Sequence, residues 1–543
     1  MANQAGDPTL SMLSEKSRRV RGKDAQSMNL EAAQAVAEAV RTTLGPRGMD
    51  KMLVDETGNV VVTNDGVTVL GEMNVDHPAA DMVVEVAQSQ EQEVGDGTTT
   101  AVILTSALLS EAEDLLEQDV HPTTITAGFD RVKERIEKTL SAIAIEVDAD
   151  DIETLEAIAS TAMTGKGVES AREHLVALAV EAVRRAARED GQVDREAVSI
   201  TTFTGGDVSE SRFVEGVTID QTPVEDAMPT SMADADILLY EGAIESADLE
   251  VDSETTVSNF DEAVEFRERE RSVLQDDVEE VLATGADVVV TEGGVDDDAS
   301  ALFADEGVTV LRRVDDADRR QIETATDATP VFDLESATPA DLGHAGSVDL
   351  ERIRMEHWRA GARPEETMVF SDVPGGDAGS ILLRGGTDHA LEEIERALED
   401  GLDVLVAAVE EGAILPGAGA AEIEVSLALE TEANAVEGRE QLAVEAFADA
   451  VERLPRTLAE NAGHSPIDSV VALRRRHADG DRTVGIDVES GEPIDAFDAG
   501  VVEPRRVKQT AIGAAIEATN TVLRIDDVIS AGDLTSSGGE ESG

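Results

Sequence analysis

The sequence predicts a multidomain α and α/β chain, with mainly helical ends flanking an α/β middle. Three observations predict it. At 543 residues the chain is long enough for about three or four domains of roughly 100–200 residues each. Apolar residues recur at helical spacing near both ends, as in Leu30, Ala33, Ala37, Val40 and Leu44. From about residue 215 to 370, short β-type runs alternate with helical ones.

The first amphipathic stripe covers residues 28–44, and Gly45-Pro46 stops it. Met52-Leu53-Val54 and Val60-Val61-Val62 flank a Gly58-Asn59 turn and read as a hairpin. A second strong helix is expected over 98–118, carrying Val102, Ile103, Ala107, Leu108, Ala112 and Leu115. In the middle, Ile237 to Tyr240, Asp287 to Thr291 and Val308 to Leu311 read as buried strands. Strand, Gly-rich turn, short helix and strand follow one another over 284–312, the order of an α/β layer. Residues 260–283 form a highly charged helix with few large apolar side chains, among them Phe260, Val264, Phe266, Val273, Leu274, Val278 and Val281. Helical periodicity returns at 388–412 and 436–463. Ser530 to Gly543 is rich in Ser, Gly and Glu and is expected to be disordered.

Composition excludes several functions. There are 116 acidic and 43 basic residues, a net charge of −73. Affinity for nucleic acid rests on Lys and Arg clusters, so this surface repels DNA, RNA and anionic membranes. Only Lys16, Lys23, Lys51, Lys133, Lys138, Lys166 and Lys508 are lysine; the other bases are Arg. With 41% hydrophobic residues, the acidity reads as adaptation to high salt rather than disorder. At 1 M salt the Debye length is about 3 Å, which screens repulsion between surface carboxylates. Cysteine is absent, which removes disulfides, thiol nucleophiles and thiolate metal sites. The eight histidines show no metal-ligand spacing, so each is expected to be structural. The stretch from Met1 to Val20 lacks the apolar core of a signal peptide, and no apolar run approaches the roughly 18 residues that span a bilayer. A cytoplasmic location is expected.

Several Gly-rich segments admit both a chemical and a plain structural reading. Gly95-Asp96-Gly97-Thr98-Thr99-Thr100 opens a helix, where free N–H groups and the dipole favour an anion and Asp96 can hold Mg²⁺ against phosphates. From the pattern alone, the plainer reading is a helix N-capped by Asp or Thr. Leu44-Gly45-Pro46-Arg47-Gly48 is a phosphate loop or a helix C-cap with a Pro turn. Thr63-Asn64-Asp65-Gly66, between apolar runs, reads as a hairpin turn with Asp65 as turn former. Asp400, between Leu398 and Leu402, is a carboxylate able to orient a water or one more acidic surface position. Gly417-Ala418-Gly419 allows close approach of a flat ligand, and Glu503 can accept bonds from ribose hydroxyls.

Together, in this order and spacing, these segments resemble the group II chaperonins, specifically archaeal thermosome subunits, across nearly the whole chain. The likeness is carried by R-G-K-D-A-Q (21–26), A-E-A-V-R-T-T-L-G-P-R-G-M-D-K-M-L-V-D (37–55), T-N-D-G-V-T (63–68), H-P-A-A (77–80) and E-V-G-D-G-T-T-T-A-V (93–102). It continues through T-G-K-G (164–167), L-R-G-G-T (383–387), R-A-L-E-D (396–400), G-R-E-Q-L-A-V-E-A-F-A-D-A (438–450), P-R-T-L-A-E-N-A-G (455–463) and L-R-I-D-D-V-I (523–529).

The resemblance implies a chaperonin fold threaded out and back. A mainly helical equatorial ATP-binding domain takes residues 1–150 and 406–529, and a small α/β intermediate domain takes 151–218 and 370–405. An α/β apical domain takes 219–369, with a helical lid protrusion near 258–284. It implies a double ring of about eight subunits each, homomeric or mixed. It also implies ATP and Mg²⁺ as cofactors, with K⁺ as a further candidate, and unfolded proteins as clients. By position, Asp96 matches the family's Mg²⁺ ligand, and Gly97, Thr98, Thr99 and Thr100 its phosphate loop. Leu44, Gly45 and Pro46 match a second nucleotide loop. Asp65 and Asp400 match the pair that activates the attacking water, and Lys166 a lysine that senses the γ-phosphate. Gly417, Gly419, Gly485 and Glu503 match adenine and ribose contacts. The chain departs from the family pattern at Arg47 (usually Lys), Glu91 (usually Asp), Ala418 (usually Gly) and Gly401 (usually Ala). Two rival readings are a non-hydrolysing structural subunit of a mixed ring and a small-molecule kinase or other metabolic ATPase.

Overall fold

The computed structural model describes residues 18–54, 58, 60–188, 190–245, 260–353, 365–375 and 378–530. The chain divides into two compact units. One comprises Met1–Val147, Thr161–Lys166 and Glu411–Gly543; the other comprises Asp148–Ser160 and Gly167–Glu410.

In the first unit, both ends of the chain build one helical core. The helices Lys23–Arg41, Pro78–Val94, Thr98–Glu117, Pro122–Arg131 and Lys133–Ile143 pack with Ala420–Ala433, Glu440–Val451 and Arg505–Leu523. Leu30, Val102, Leu108, Phe129, Phe447 and Ile516 meet in that core. Phe129 and Phe447 stack edge to face, with centroids 5.5 Å apart and planes at 76°. Burying one such side chain contributes about 1.5–3 kcal/mol. A methyl at Gly128 would lie 2.4 Å from Ala443 Cβ, so this glycine sets how closely two helices cross.

Short sheets rim the helices. Lys51–Val54 pairs antiparallel with Val60–Thr63, with Met52 opposite Val62 and Val54 opposite Val60, which is the expected hairpin. Arg18–Arg21 pairs with Asp527–Ser530. Ser530, assigned by composition to a disordered tail, therefore closes a strand, while 531–543 lie outside the described residues.

The second unit contains the α/β layer. Its larger sheet has six strands in the order Thr309–Leu311, Val288–Thr291, Ser231–Tyr240, Gly343–Ile353, Glu365–Ser371, Val217–Ile219. The first three are mutually parallel and the rest antiparallel. Alternation along each strand feeds two cores. Ile237, Leu239, Val288 and Val290 pack with Ile322 and Ala325 of the helix Asp316–Thr326. Leu238, Val289 and Val310 pack with Phe303, Leu274, Val278 and Val281, from the helices Asp297–Glu306 and Phe260–Thr284. The charged 260–283 helix is thus present; residues 258–259 of the expected lid, and the side chains before Ser272, lie outside the described residues. A second sheet orders Val198–Thr204, Gly379–Gly385 and Arg212–Glu215.

Boundaries moved where tertiary contacts overrode the pattern. The stripe expected over 28–44 belongs to a helix spanning Lys23–Arg41, and 436–463 resolves into Glu440–Val451 and Arg453–Asn461. The Thr63–Gly66 segment is no hairpin turn. Asp65 caps the helix Gly66–Gly71, whose Gly66, Val69 and Leu70 are buried at i, i+3 and i+4. Among the described residues, no helix is long and apolar enough to cross a membrane.

Candidate functional site

The helix Thr98–Glu117 begins at Gly97, whose φ of 80° is left-handed, and no side chain caps it. The capped-helix alternative therefore fails. The first intrahelical bond runs from Ala101 N to Gly97 O at 2.9 Å, so the N–H groups of Thr98, Thr99 and Thr100 point out of the helix end. Asp96 is half-buried in the preceding turn. Gln90, fully buried, donates through Nε2 to Asp96 O at 2.7 Å and to Val507 O at 3.1 Å, pinning that turn to the helix Arg505–Leu523.

Three segments close on this loop. A methyl at Gly66 would lie 2.4 Å from Thr99 Oγ1, which places the Asp65 helix start against the Thr98–Thr100 start. Asp65 Oδ2 accepts from Thr68 N at 2.8 Å and from Thr68 Oγ1 at 2.7 Å. Asn64 donates through Nδ2 to Gly165 O, and a methyl at Gly165 would lie 3.2 Å from both Gly45 O and Pro46 Cα. The Leu44–Pro46 loop, Asn64–Asp65 and the turn carrying Lys166 are thus one packed group. Asn461 Nδ2 secures the first of these by donating to Leu44 O at 2.9 Å. Arg47 is exposed and faces Glu489 at 4.0 Å.

The other side of the site is a second glycine-led helix. Ala420–Ala433 begins at Gly419, again left-handed and without a side-chain cap. Gly417 N donates to Val501 O at 2.8 Å, and Ile486 N donates to Ala418 O at 2.9 Å. Ala418 itself has φ 54°, a left-handed conformation that costs a side-chain-bearing residue about 1–2 kcal/mol. Gly485 packs directly on this loop, since a methyl there would meet Ala418 Cβ at 2.6 Å.

Glu503 lies opposite Leu415 in the strand pair Val502–Pro504 and Ala413–Pro416. Its Oε2 is 3.0 Å from Lys508 Nζ, and that ammonium is 2.5 Å from Glu422 Oε1. Burial pushes the Glu503 carboxyl up, against the opposing pull of Lys508 and with help from Glu422 and Asp96, to about 7. For Lys508, burial favours the neutral amine, but Glu422 and Glu503 outweigh it and hold the ammonium above its ordinary value.

Asp400 belongs to the second unit. It is 9% exposed within the helix Asp388–Glu411, between the fully buried Leu398 and Leu402, so it is no surface position. The helix runs unbroken through Gly401, at a propensity cost of about 1 kcal/mol relative to Ala. The remaining candidates (Leu44, Gly45, Pro46, Asp65, Asp96, Gly97, Thr98, Thr99, Thr100, Lys166, Gly417, Gly419, Gly485 and Glu503) all lie in the first unit. Pattern reading missed Gln90, Glu422 and Lys508. The available signal for Lys508 was scarcity, as one of seven lysines five residues after Glu503.

The donor set fits a nucleotide with its metal. The uncapped helix start after Gly97 suits phosphate oxygens, and the small-residue loop Gly417–Gly419 leaves room for a flat ligand to approach the backbone. Among the described residues no three His, Asp or Glu side chains form a metal cluster. A cation at Asp96 would therefore complete its shell from phosphates and water, as Mg²⁺ commonly does.

Comparison with known proteins agrees with the fold. The TCP-1/cpn60 chaperonin family profile matches residues 36–533. Thermosome subunit alpha of Halobacterium salinarum is 49% identical over 98% of this chain and 93% of its own. Thermosome subunit 1 of Haloferax volcanii is 49% identical over 99% of this chain and 94% of its own. Among solved structures, the open-state monomer of a group II chaperonin from Methanococcoides burtonii is 37% identical, with a TM-score of 0.62 over 80% of this chain and 100% of that one. With a family match across nearly its whole length, the chain belongs to the TCP-1/cpn60 chaperonin family and is an ATP-dependent chaperonin subunit of the archaeal group II type.

Proposed function

We propose that this subunit binds Mg²⁺–ATP in its first unit and couples hydrolysis to enclosure of unfolded proteins. The observation that carries the reading is the convergence of two uncapped, glycine-led helix starts at Gly97 and Gly419 with Asp65, Asp96, Lys166 and Glu503 in one unit. The N–H groups and hydroxyls of Thr98–Thr100 take phosphate oxygens. Asp96 holds Mg²⁺, which neutralises phosphate charge when bound. Leu44–Pro46 and Lys166 close over the phosphates, and Glu503 accepts bonds from the ribose beside Gly417, Gly419 and Gly485. Asp65 and Asp400 orient the attacking water as general bases. A chain of charge −73 takes up an anion only where helix starts, the cation and Lys166 reverse the local sign. K⁺ is a further candidate cation at the phosphates.

In this reading 1–150 with 406–529 is the equatorial domain, 151–218 with 370–405 the intermediate hinge, and 219–369 the apical client-binding domain. The helix Phe260–Thr284 supplies the lid. A double ring of about eight subunits each, in the cytoplasm, belongs to the same reading, and association between copies is supported by the hairpin strands Lys51–Val54 and Val60–Thr63. Its cross-strand pairs Met52–Val62 and Val54–Val60 are exposed, Met52 by 69%. A lone two-stranded ribbon is marginal in water, so this apolar face is a docking surface for a neighbouring copy.

Native mass and ATPase rate in molar KCl, for wild type and Asp400→Ala, test the proposal. The expected result is a double-ring mass for both, ADP binding for both, and hydrolysis lowered about 100-fold in Asp400→Ala. A wild-type ring that hydrolyses nothing would identify a structural subunit instead. Full activity in Asp400→Ala would remove that residue from the mechanism.

A further inference from the structure

The turn Arg505–Lys508 touches both halves of the nucleotide site without belonging to either. Val507 faces the phosphate half. Its carbonyl accepts from Gln90 Nε2 at 3.1 Å, the same nitrogen that donates to Asp96 O at 2.7 Å. Its Cγ1 lies 2.9 Å from where a methyl at Gly97 would sit. Lys508 faces the ribose half. Its Nζ is 3.0 Å from Glu503 Oε2 and 2.5 Å from Glu422 Oε1, and it is only 6% exposed. Glu422 is 4% exposed and belongs to the first turn of the Gly419-led helix.

An ammonium has three donors, and Lys508 spends them on a carboxylate from each of two elements. A buried lysine is unfavourable unless paired in this way. Arg serves almost everywhere else in this chain as the basic side chain. The Lys508 ammonium is a compact point charge, whereas a guanidinium is a planar fork, so Lys508→Arg keeps the charge but changes the geometry at Glu503. Glu503 without Lys508 would face Glu422 and Asp96 with no compensating charge.

We infer that Lys508, backed by Glu422, is a positioning residue that holds Glu503 in place for the ribose, while Gln90 ties the same helical turn to the Asp96 loop. One turn of helix thereby sets the spacing between the phosphate and ribose ends of the ligand. The inference rests on the nucleotide reading above, and specifically on Glu503 as the ribose contact.

The test uses the full-length assembly in molar KCl with MgCl₂, and titration calorimetry with ADP, 2′-deoxyADP and 3′-deoxyADP. A charged hydrogen bond to a sugar hydroxyl makes wild type prefer ADP over one deoxy analogue by about tenfold. Glu503→Gln is expected to abolish most of that preference. Lys508→Met is expected to bring the ratio to about one, Glu422→Gln to lower it partway, and Lys508→Arg to restore part of it. In ATP turnover, Lys508→Met is expected to raise KM with kcat changed less than about twofold. A wild type without preference, or a Glu503→Gln variant that keeps it, would overturn the ribose role of Glu503 itself. Loss of preference in Glu503→Gln, but not in Lys508→Met or Glu422→Gln, would overturn the positioning role alone. If Lys508→Met does not assemble, the nearly isosteric Glu422→Gln decides between the same outcomes.

Discussion

Substituting Gly485 probes how tightly the ribose side of the site is built. A methyl at Gly485 would meet Ala418 Cβ at 2.6 Å, Ala418 O at 2.7 Å and Gly417 O at 2.9 Å, where ordinary contacts begin at 3.4 Å. Something must move by about 0.5–0.8 Å, and little is free to do so. The loop is tied by Gly417 N to Val501 O at 2.8 Å and by Ile486 N to Ala418 O at 2.9 Å. Behind it, a methyl-sized space at Gly419 is already within 2.7 Å of Pro455. Gly485→Ala should therefore cost about 1–3 kcal/mol of stability through overpacking. Displacing the loop by that much should weaken ADP binding about tenfold, since such sites tolerate only about 0.5 Å of error. Ala418→Gly alone should be nearly neutral, because relief of about 1 kcal/mol of left-handed strain is offset by about 0.4–1 kcal/mol of added unfolded-state entropy. The double variant removes the methyl–methyl clash but leaves both carbonyl contacts, so it should recover only part of the loss. Thermal unfolding and ADP calorimetry of the three variants in molar KCl measure the cycle. Wild-type melting and affinity in Gly485→Ala, or strict additivity in the double variant, would refute the reasoning.

Three further outcomes are expected. Replacing Val54 by Lys and Val60 by Glu puts an opposite-charge pair on the hairpin, which keeps the ribbon itself paired but removes its apolar face; native mass should fall to the folded monomer. The preference for ADP over its deoxy analogue should grow as pH rises from about 6 to 8, because Glu503, with its pKa raised to about 7, ionises over that range and a carboxylate accepts more strongly than a carboxylic acid; the profile should be flat in Glu503→Gln. In the second unit, Arg319 is 7% exposed and pairs with Glu241, Glu292, Asp316 and Glu323 at 2.7–3.2 Å; Arg319→Met should cost about 3 kcal/mol, read as a lower melting temperature, because four carboxylates lose their shared partner.

Legibility from the sequence followed the range of the interactions involved. The helix at 98–117 was readable from its apolar period, and the strands at 288–291 and 309–311 from short, Val-rich apolar runs set off by Gly-containing turns. Asp65 was misread as a turn former because Asn-Asp-Gly suits hairpin turns and helix caps alike. Burial of Val69 and Leu70, a tertiary fact, selected the cap. Asp400 was ambiguous for a similar reason, since one carboxylate among 116 acidic residues carries no mark of burial. Gln90, Glu422 and Lys508 were invisible because the contacts that join them to the other half of the site, Gln90 to Val507 and Lys508 to Glu422, span 417 and 86 residues of sequence.

By itself the sequence determined the class of the molecule: acidic, cysteine-free, helical at its ends and α/β in its middle, with Gly-Asp-Gly-Thr-Thr-Thr opening a helix. These are local or additive properties, set by composition, period and the φ freedom of glycine. Only the tertiary structure decided which carboxylates are buried, and which of the seven lysines stands between two of them. It also left the helix start at Gly97 uncapped, and so open to an anion. Burial and pairing depend on what distant segments bring alongside a residue, and in a chain of net charge −73 that placement separates a solvating carboxylate from a chemical one.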